Sequence, residues 1–76
     1  MKLLFGEQNS DITIEVDTIV KGTVNGNIEV LPGARLELEA KVIGNVTLRK
    51  HSQISIMNHI EGQLFNEGAK VEFLKY

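Results

Sequence analysis

Residues 24–28 read VNGNI, and segments of the same kind return as VIGNV at 42–46 and as IEGQL at 60–64. Each segment has an aliphatic residue at both ends, a glycine in the middle and an amide side chain directly after the glycine. The central glycines are 18 residues apart, so one structural unit repeats along more than half of the chain. A repeat of this length predicts a solenoid, in which successive coils stack on each other.

A finer period of six residues runs inside this repeat. Steps of six from Ile12 to Ile60 meet an aliphatic residue at every position except Thr18. Apolar and polar residues also alternate over short stretches, as in IEV at 28–30, which puts the apolar side chains on one face of a strand. The pattern predicts an all-β protein: a single-stranded, triangular, parallel β-helix with about 18 residues in each rung.

The repeat indicates a single β-helix domain over residues 1–76. Residues 12–73 fit the rungs, whereas residues 1–11 do not follow the period and are expected to form an irregular segment or a cap. Turn-forming residues at 32–34 (PGA) and 66–68 (NEG) predict matching corners two rungs apart. A solenoid this short has two open ends, and their unpaired strand edges favour pairing with another chain.

Residues 20–30 (VKGTVNGNIEV), 32–36 (PGARL) and 44–46 (GNV) resemble the bactofilins, which are polymer-forming cytoskeletal proteins of bacteria. The resemblance covers about residues 20–73 and implies a right-handed triangular β-helix that self-assembles end to end without nucleotide. Left-handed hexapeptide helices share this rung length, but they usually place a small residue after each aliphatic one, which this chain does not. We expect a short form without the tails that flank bactofilin cores, so a filament and a closed dimer or small oligomer are both open.

Composition argues against two classes of partner. The chain has 8 basic and 10 acidic residues, a net charge of −2, whereas nucleic-acid-binding domains usually gather a basic excess on one face. The nearest basic cluster, Arg49-Lys50-His51, is a single predicted corner. No apolar run is long enough for a membrane helix, and the three apolar residues after Lys2 are too few for a signal peptide. We expect a cytoplasmic protein that binds no nucleic acid and does not span a membrane.

No set of residues predicts catalysis, a metal site or a cofactor, so we expect a protein that is not an enzyme. Cysteine is absent, and the two histidines, His51 and His59, fall on different sides of the predicted triangle without a third ligand. Glu29 and Glu37 are expected to face outward on adjoining sides, so they would diverge instead of forming an acid–base pair.

The amide residues Asn27, Asn45 and Gln63 share one phase of the repeat. Stacked amides can form hydrogen bonds along the coil axis and lock the register of the rungs. The alternative is a flat recognition strip on one side of the solenoid. We favour the ladder, which assigns these side chains a structural role.

The candidate functional surface consists of apolar residues at outward-facing or terminal positions. Ile43 and Phe65 replace polar residues expected on outer faces, and the chain ends in an apolar segment. The predicted oligomer interface consists of Leu3, Leu4, Phe5, Ile43, Phe65, Phe73, Leu74 and Tyr76. It would join copies of the chain into a dimer or a larger homo-oligomer, unless residues 3–5 fold back over the rest of the patch.

Two functions are therefore predicted. The first is a structural, self-associating β-helix that assembles through its open ends or through the apolar patch. The alternative is a small binding or inhibitory protein of the immunity type, which would block an unknown protein partner through an acidic outer face. That face would be built by Glu15, Glu29, Glu37, Glu39 and Glu72.

Overall fold

The computed structural model describes residues 2–74 and shows a parallel β-solenoid of about 4 turns, with no helix in that part of the chain. Its strands are Lys2–Gln8 (β1), Ile12–Ile14 (β2), Thr18–Val24 (β3), Ile28–Val30 (β4), Arg35–Val42 (β5), Val46–Leu48 (β6), Gln53–Ile56 (β7), Leu64–Asn66 (β8) and Lys70–Phe73 (β9). They form two parallel sheets, β1-β3-β5-β7-β9 and β2-β4-β6-β8. The all-β solenoid predicted from the repeat is confirmed.

The strand register reproduces the repeat in the middle of the molecule and departs from it at both ends. Ile28 pairs with Val46, 18 residues further on. The first coil is two residues shorter, because Ile12 pairs with Ile28. The last coil is one residue shorter, because Ile54 pairs with Val71. Hydrogen bonds between equivalent strands thus tolerate small changes in corner length.

The core lies along the solenoid axis and is filled by alternate residues of each strand. In β4 and β6 the first and third residues are buried and the middle one is partly exposed, as the period of two requires. The buried apolar residues are Ile14, Val20, Val24, Ile28, Val30, Ala34, Leu36, Leu38, Ala40, Val42, Val46, Leu48, Ile54 and Ile56. Burial of each large aliphatic side chain contributes roughly 1.5–3 kcal/mol.

The repeated glycines lie where successive coils approach each other most closely. A Cβ atom on Gly44 would lie less than 3.0 Å from the carbonyl group of Gly26, and one on Gly62 would meet the carbonyl group of Gly44 in the same way. Any larger residue would push the coils apart there. This contact explains why the segments that reveal the repeat are centred on glycine.

Each coil has three sides, and two of them belong to one bent sheet. The long strand β3 changes direction at Gly22, whose φ is +102°. Another corner is a β-turn, closed by a 3.1 Å hydrogen bond from the N–H of Ala34 to the carbonyl of Leu31. Gly33 occupies the position of this turn that requires positive φ, and His51 and Gly68 take its place in the next two coils. The two predicted corners are therefore confirmed.

Of the two expectations for the N-terminal segment, an irregular segment or a cap, the structure contradicts the first, because residues 2–8 form a regular strand. Strand β1 pairs with β3 in parallel along its whole length and belongs to the first coil. The corner at 15–17 is two residues shorter than the corner at 31–35, so β1 is out of phase with the 18-residue repeat. Because β1 and β9 lie at opposite edges of one sheet, residues 3–5 do not fold back over the C-terminal apolar residues.

Candidate functional site

The candidate site is the end of the described solenoid at which β8 and β9 are the last strands, with no further coil above them within residues 2–74. β8 is the edge strand of the smaller sheet and β9 that of the larger one. Each inward-facing apolar residue of this last coil pairs in register with a buried residue of the coil before it. We call this group the C-terminal end face; its members are Ile60, Leu64, Val71 and Phe73.

Phe73 is the most exposed member of the C-terminal end face. It pairs with Ile56, whose side chain is 4% exposed, but Phe73 itself is 66% exposed. Together with Ile60, Leu64 and the flanking His59, it lines a concavity of about 390 Å³. An apolar concavity bordered by a strand edge is a surface that a protein partner can cover.

A polar residue, Asn66, also belongs to this last coil and pairs with the buried Leu48. Its Oδ1 accepts hydrogen bonds from the N–H groups of Gly68 (3.0 Å) and Ala69 (2.6 Å). Its Nδ2 donates to the carbonyl of Ala69 over 3.1 Å. The side-chain amide of Asn66 therefore finds its hydrogen-bond partners within its own corner and does not need water at the open end.

The N-terminal end of the solenoid is different in character. At this edge Lys2 and Gln8 occupy inward positions, in register with Thr18 and Val24 of β3. Leu4 also points inward and packs against the core. The N-terminal end face therefore combines an apolar centre with a charged and an amide side chain, unlike the C-terminal end face.

The predicted interface residues do not form a single patch. Leu3 and Phe5 point outward from β1, at the end opposite to β9, and Leu4 lies between them on the inner side. The structure therefore separates these three residues from Phe73 and Leu74. The physical reason is the parallel stacking of coils, which places the first and the last strand at opposite edges.

The remaining predicted residues occupy three different places. Phe65 is exposed on the outer face of β8 and pairs with Thr47. Leu74 directly follows β9 and is exposed at the same end. Ile43 is exposed beside the glycine at the bend of a middle coil. Tyr76 lies outside the described residues.

Ile60, Leu64 and Val71 were not among the predicted interface residues. Inward-facing residues of successive coils stack into columns, and the aliphatic side chains of these three residues continue such columns. Nothing in the local sequence marks where a column ends. The signal that could have revealed them is their position near the end of the described chain, since no later strand within residues 2–74 pairs above them.

The amide ladder predicted from the repeat is present. The N–H of Asn45 donates to Oδ1 of Asn27 over 2.9 Å, and the N–H of Gln63 donates to Oδ1 of Asn45 over the same distance. Asp11, which the repeat did not predict, begins the ladder by accepting the N–H of Asn27 at 3.0 Å. These side chains link successive coils and are engaged in that role.

Ion pairs neutralise part of the acidic outer face. Arg49 binds Glu29 through Nε at 2.7 Å and Glu67 through a second nitrogen at 2.8 Å. The hydrogen bonds and charges of these two carboxylates raise the pKa of Arg49. Lys21 lies 3.8 Å from Glu39 on the paired strand. Two of the five carboxylates of the predicted acidic face are therefore paired, which leaves that face with less free charge for a partner.

Within residues 2–74, no three side chains of histidine, aspartate or glutamate come together as a metal site would require. The same part of the chain contains no helix that could cross a membrane. Comparison with protein-family models, with curated proteins and with solved structures found no match to this chain.

Proposed function

We propose that this chain is a structural, non-enzymatic module that associates with itself, and that the C-terminal end face is the surface on which a second copy docks. The observation that carries the proposal is the exposure of Phe73 at an inward position of the solenoid. Covering this residue and its neighbours would remove apolar surface from water, which stabilises by roughly 25 cal/mol for each Å².

A second copy of the chain suits this surface because it can supply both a strand edge beside β9 and an end face of the same cross-section. The edge of β9 presents N–H and C=O groups without a strand beside them, and another strand edge satisfies such groups. The end of a solenoid also has the same cross-section as the end of its copy. The resemblance to the bactofilins, which implies end-to-end assembly in the bacterial cytoplasm and a right-handed coil, is in line with this proposal and stays a prediction.

The proposal is tested by measuring the mass of the protein in solution by sedimentation over a wide range of concentrations. We expect the mean mass to rise with concentration. Phe73→Asp should abolish the rise while leaving the strand content by circular dichroism unchanged. Phe5→Asp is the matched control, since Phe5 is equally exposed but lies at the other end of the solenoid. A protein that remains monomeric at every concentration would contradict the proposal.

A further inference from the structure

We infer that two copies meet through their C-terminal end faces about a twofold axis, with β9 of one chain antiparallel to β9 of the other. In this arrangement Val71 lies opposite the partner's Val71. The inference rests on the proposed function and goes further, because it specifies the end, the strand direction and the register. It also predicts that assembly stops at a closed dimer, since a twofold contact uses the same surface of both chains.

The N-terminal end carries a residue that opposes stacking. Lys2 occupies an inward position, in the column that continues through Thr18 to Val71. A copy placed on this end would bury the ammonium group of Lys2 against an apolar core, and within residues 2–74 no carboxylate forms an ion pair with it. Burying an unpaired charge is costly. Inward-pointing charges on edge strands are a known protection against edge-to-edge pairing.

A second feature also distinguishes the two ends. Strand β1 bends at Gly6, where φ is +97°, so its edge does not run straight along its seven residues. Strand β9 spans four residues, and no glycine interrupts it. A short straight edge above an apolar end face is the better template for pairing, so contact is expected at the C-terminal end alone.

The charges on β9 select one register for the antiparallel pair. Lys70 and Glu72 point outward, whereas Val71 and Phe73 point inward. Pairing centred on Val71 places Lys70 opposite the partner's Glu72, and it does so twice because of the symmetry. Pairing centred on Glu72 would instead bring Glu72 opposite the partner's Glu72. Opposite charges facing each other across strands stabilise the pair and like charges destabilise it.

Lys70 and Glu72 lie opposite uncharged residues of β7. Lys70 pairs with Gln53 of β7, and Glu72 pairs with Ser55 of the same strand. Neither residue takes part in an ion pair within the described part of the chain. The register centred on Val71 therefore supplies counter-charges that Lys70 and Glu72 do not find among residues 2–74, and it also places Phe73 opposite the partner's small Ala69.

Charge reversal tests this register. Lys70→Glu brings two carboxylates opposite each other at two places, and Glu72→Lys brings two ammonium groups together. We expect each single substitution to raise the dissociation constant of the dimer about tenfold, and the double substitution Lys70→Glu/Glu72→Lys to restore it. Glu7→Lys, an outward residue on β1, is the matched control and should leave the constant unchanged. Single and double variants that all behave like the unmodified chain would overturn the register.

Cross-linking tests which end is used, because the chain contains no cysteine of its own. An oxidised mixture of Lys70→Cys and Glu72→Cys proteins should form mainly the mixed disulfide, since residues 70 and 72 face each other. Unlimited growth of mass, or equally efficient cross-linking through Leu3→Cys, would overturn the closed dimer while leaving self-association intact. A constant monomer mass would instead show that the proposed function itself fails.

Discussion

Ile56 and Phe73 are paired in register on neighbouring strands, yet the first side chain is 4% exposed and the second 66% exposed. Both belong to the inward column that begins at Leu4. Within residues 2–74 a further coil lies above Ile56, whereas none lies above Phe73. An apolar residue at an inward strand position is therefore buried in the middle of the solenoid and exposed at its end.

The first prediction concerns the core. Leu36→Ala and Ile54→Ala should each lower the free energy of unfolding by roughly 2–5 kcal/mol, because both side chains are buried and leave a cavity. Denaturation in urea measures the loss. Ile19→Ala is the control, since Ile19 lies on the outer face of β3 and is partly exposed. A loss for Leu36→Ala no larger than that for Ile19→Ala would contradict the register of the inward columns.

The second prediction concerns the corner at His51. This residue has a φ of +66° in a turn position that the neighbouring coils give to Gly33 and Gly68. Positive φ costs a residue with a Cβ about 1–2 kcal/mol, and glycine loses about 0.5–1 kcal/mol through its greater freedom in the unfolded chain. We therefore expect His51→Gly to stabilise the protein by up to about 1 kcal/mol.

The matched control for this corner is His51→Val, which keeps a Cβ and adds branching there. It should lower the midpoint of thermal unfolding, because β-branched residues tolerate positive φ least. Both variants are compared with the unmodified protein by differential scanning calorimetry. A less stable His51→Gly protein would show that the imidazole makes a favourable contact that outweighs the backbone strain.

The third prediction concerns the N-terminal end. If Lys2 prevents stacking there, Lys2→Leu should open a second association surface and convert the closed dimer into longer assemblies, visible as growth of mass without a plateau. Lys50→Leu removes a charge from an exposed corner instead and should leave the dimer unchanged. A Lys2→Leu protein that still stops at the dimer would show that another feature of β1 blocks this end.

The interior of the solenoid could be predicted from the sequence because its local patterns agree. Leu36, Leu38 and Ile54 were placed inside the coil by the periods of two and six, and all three are buried. The amide ladder followed from the shared phase of Asn27 and Asn45. The ends could not be predicted in the same way, because β1 is out of phase with the repeat and its pairing with β3 is not visible as a period.

The repeat in the sequence was sufficient to establish that the chain forms stacked parallel coils and which side chains face inward, because equivalent residues of each coil meet the same neighbours. It did not determine which inward residues are buried. That depends on whether another coil lies above them, and this is a property of the assembled solenoid and not of any local segment. Phe73 and Lys2 both occupy inward positions at the two ends of the described solenoid, and both are exposed because no coil within residues 2–74 covers them.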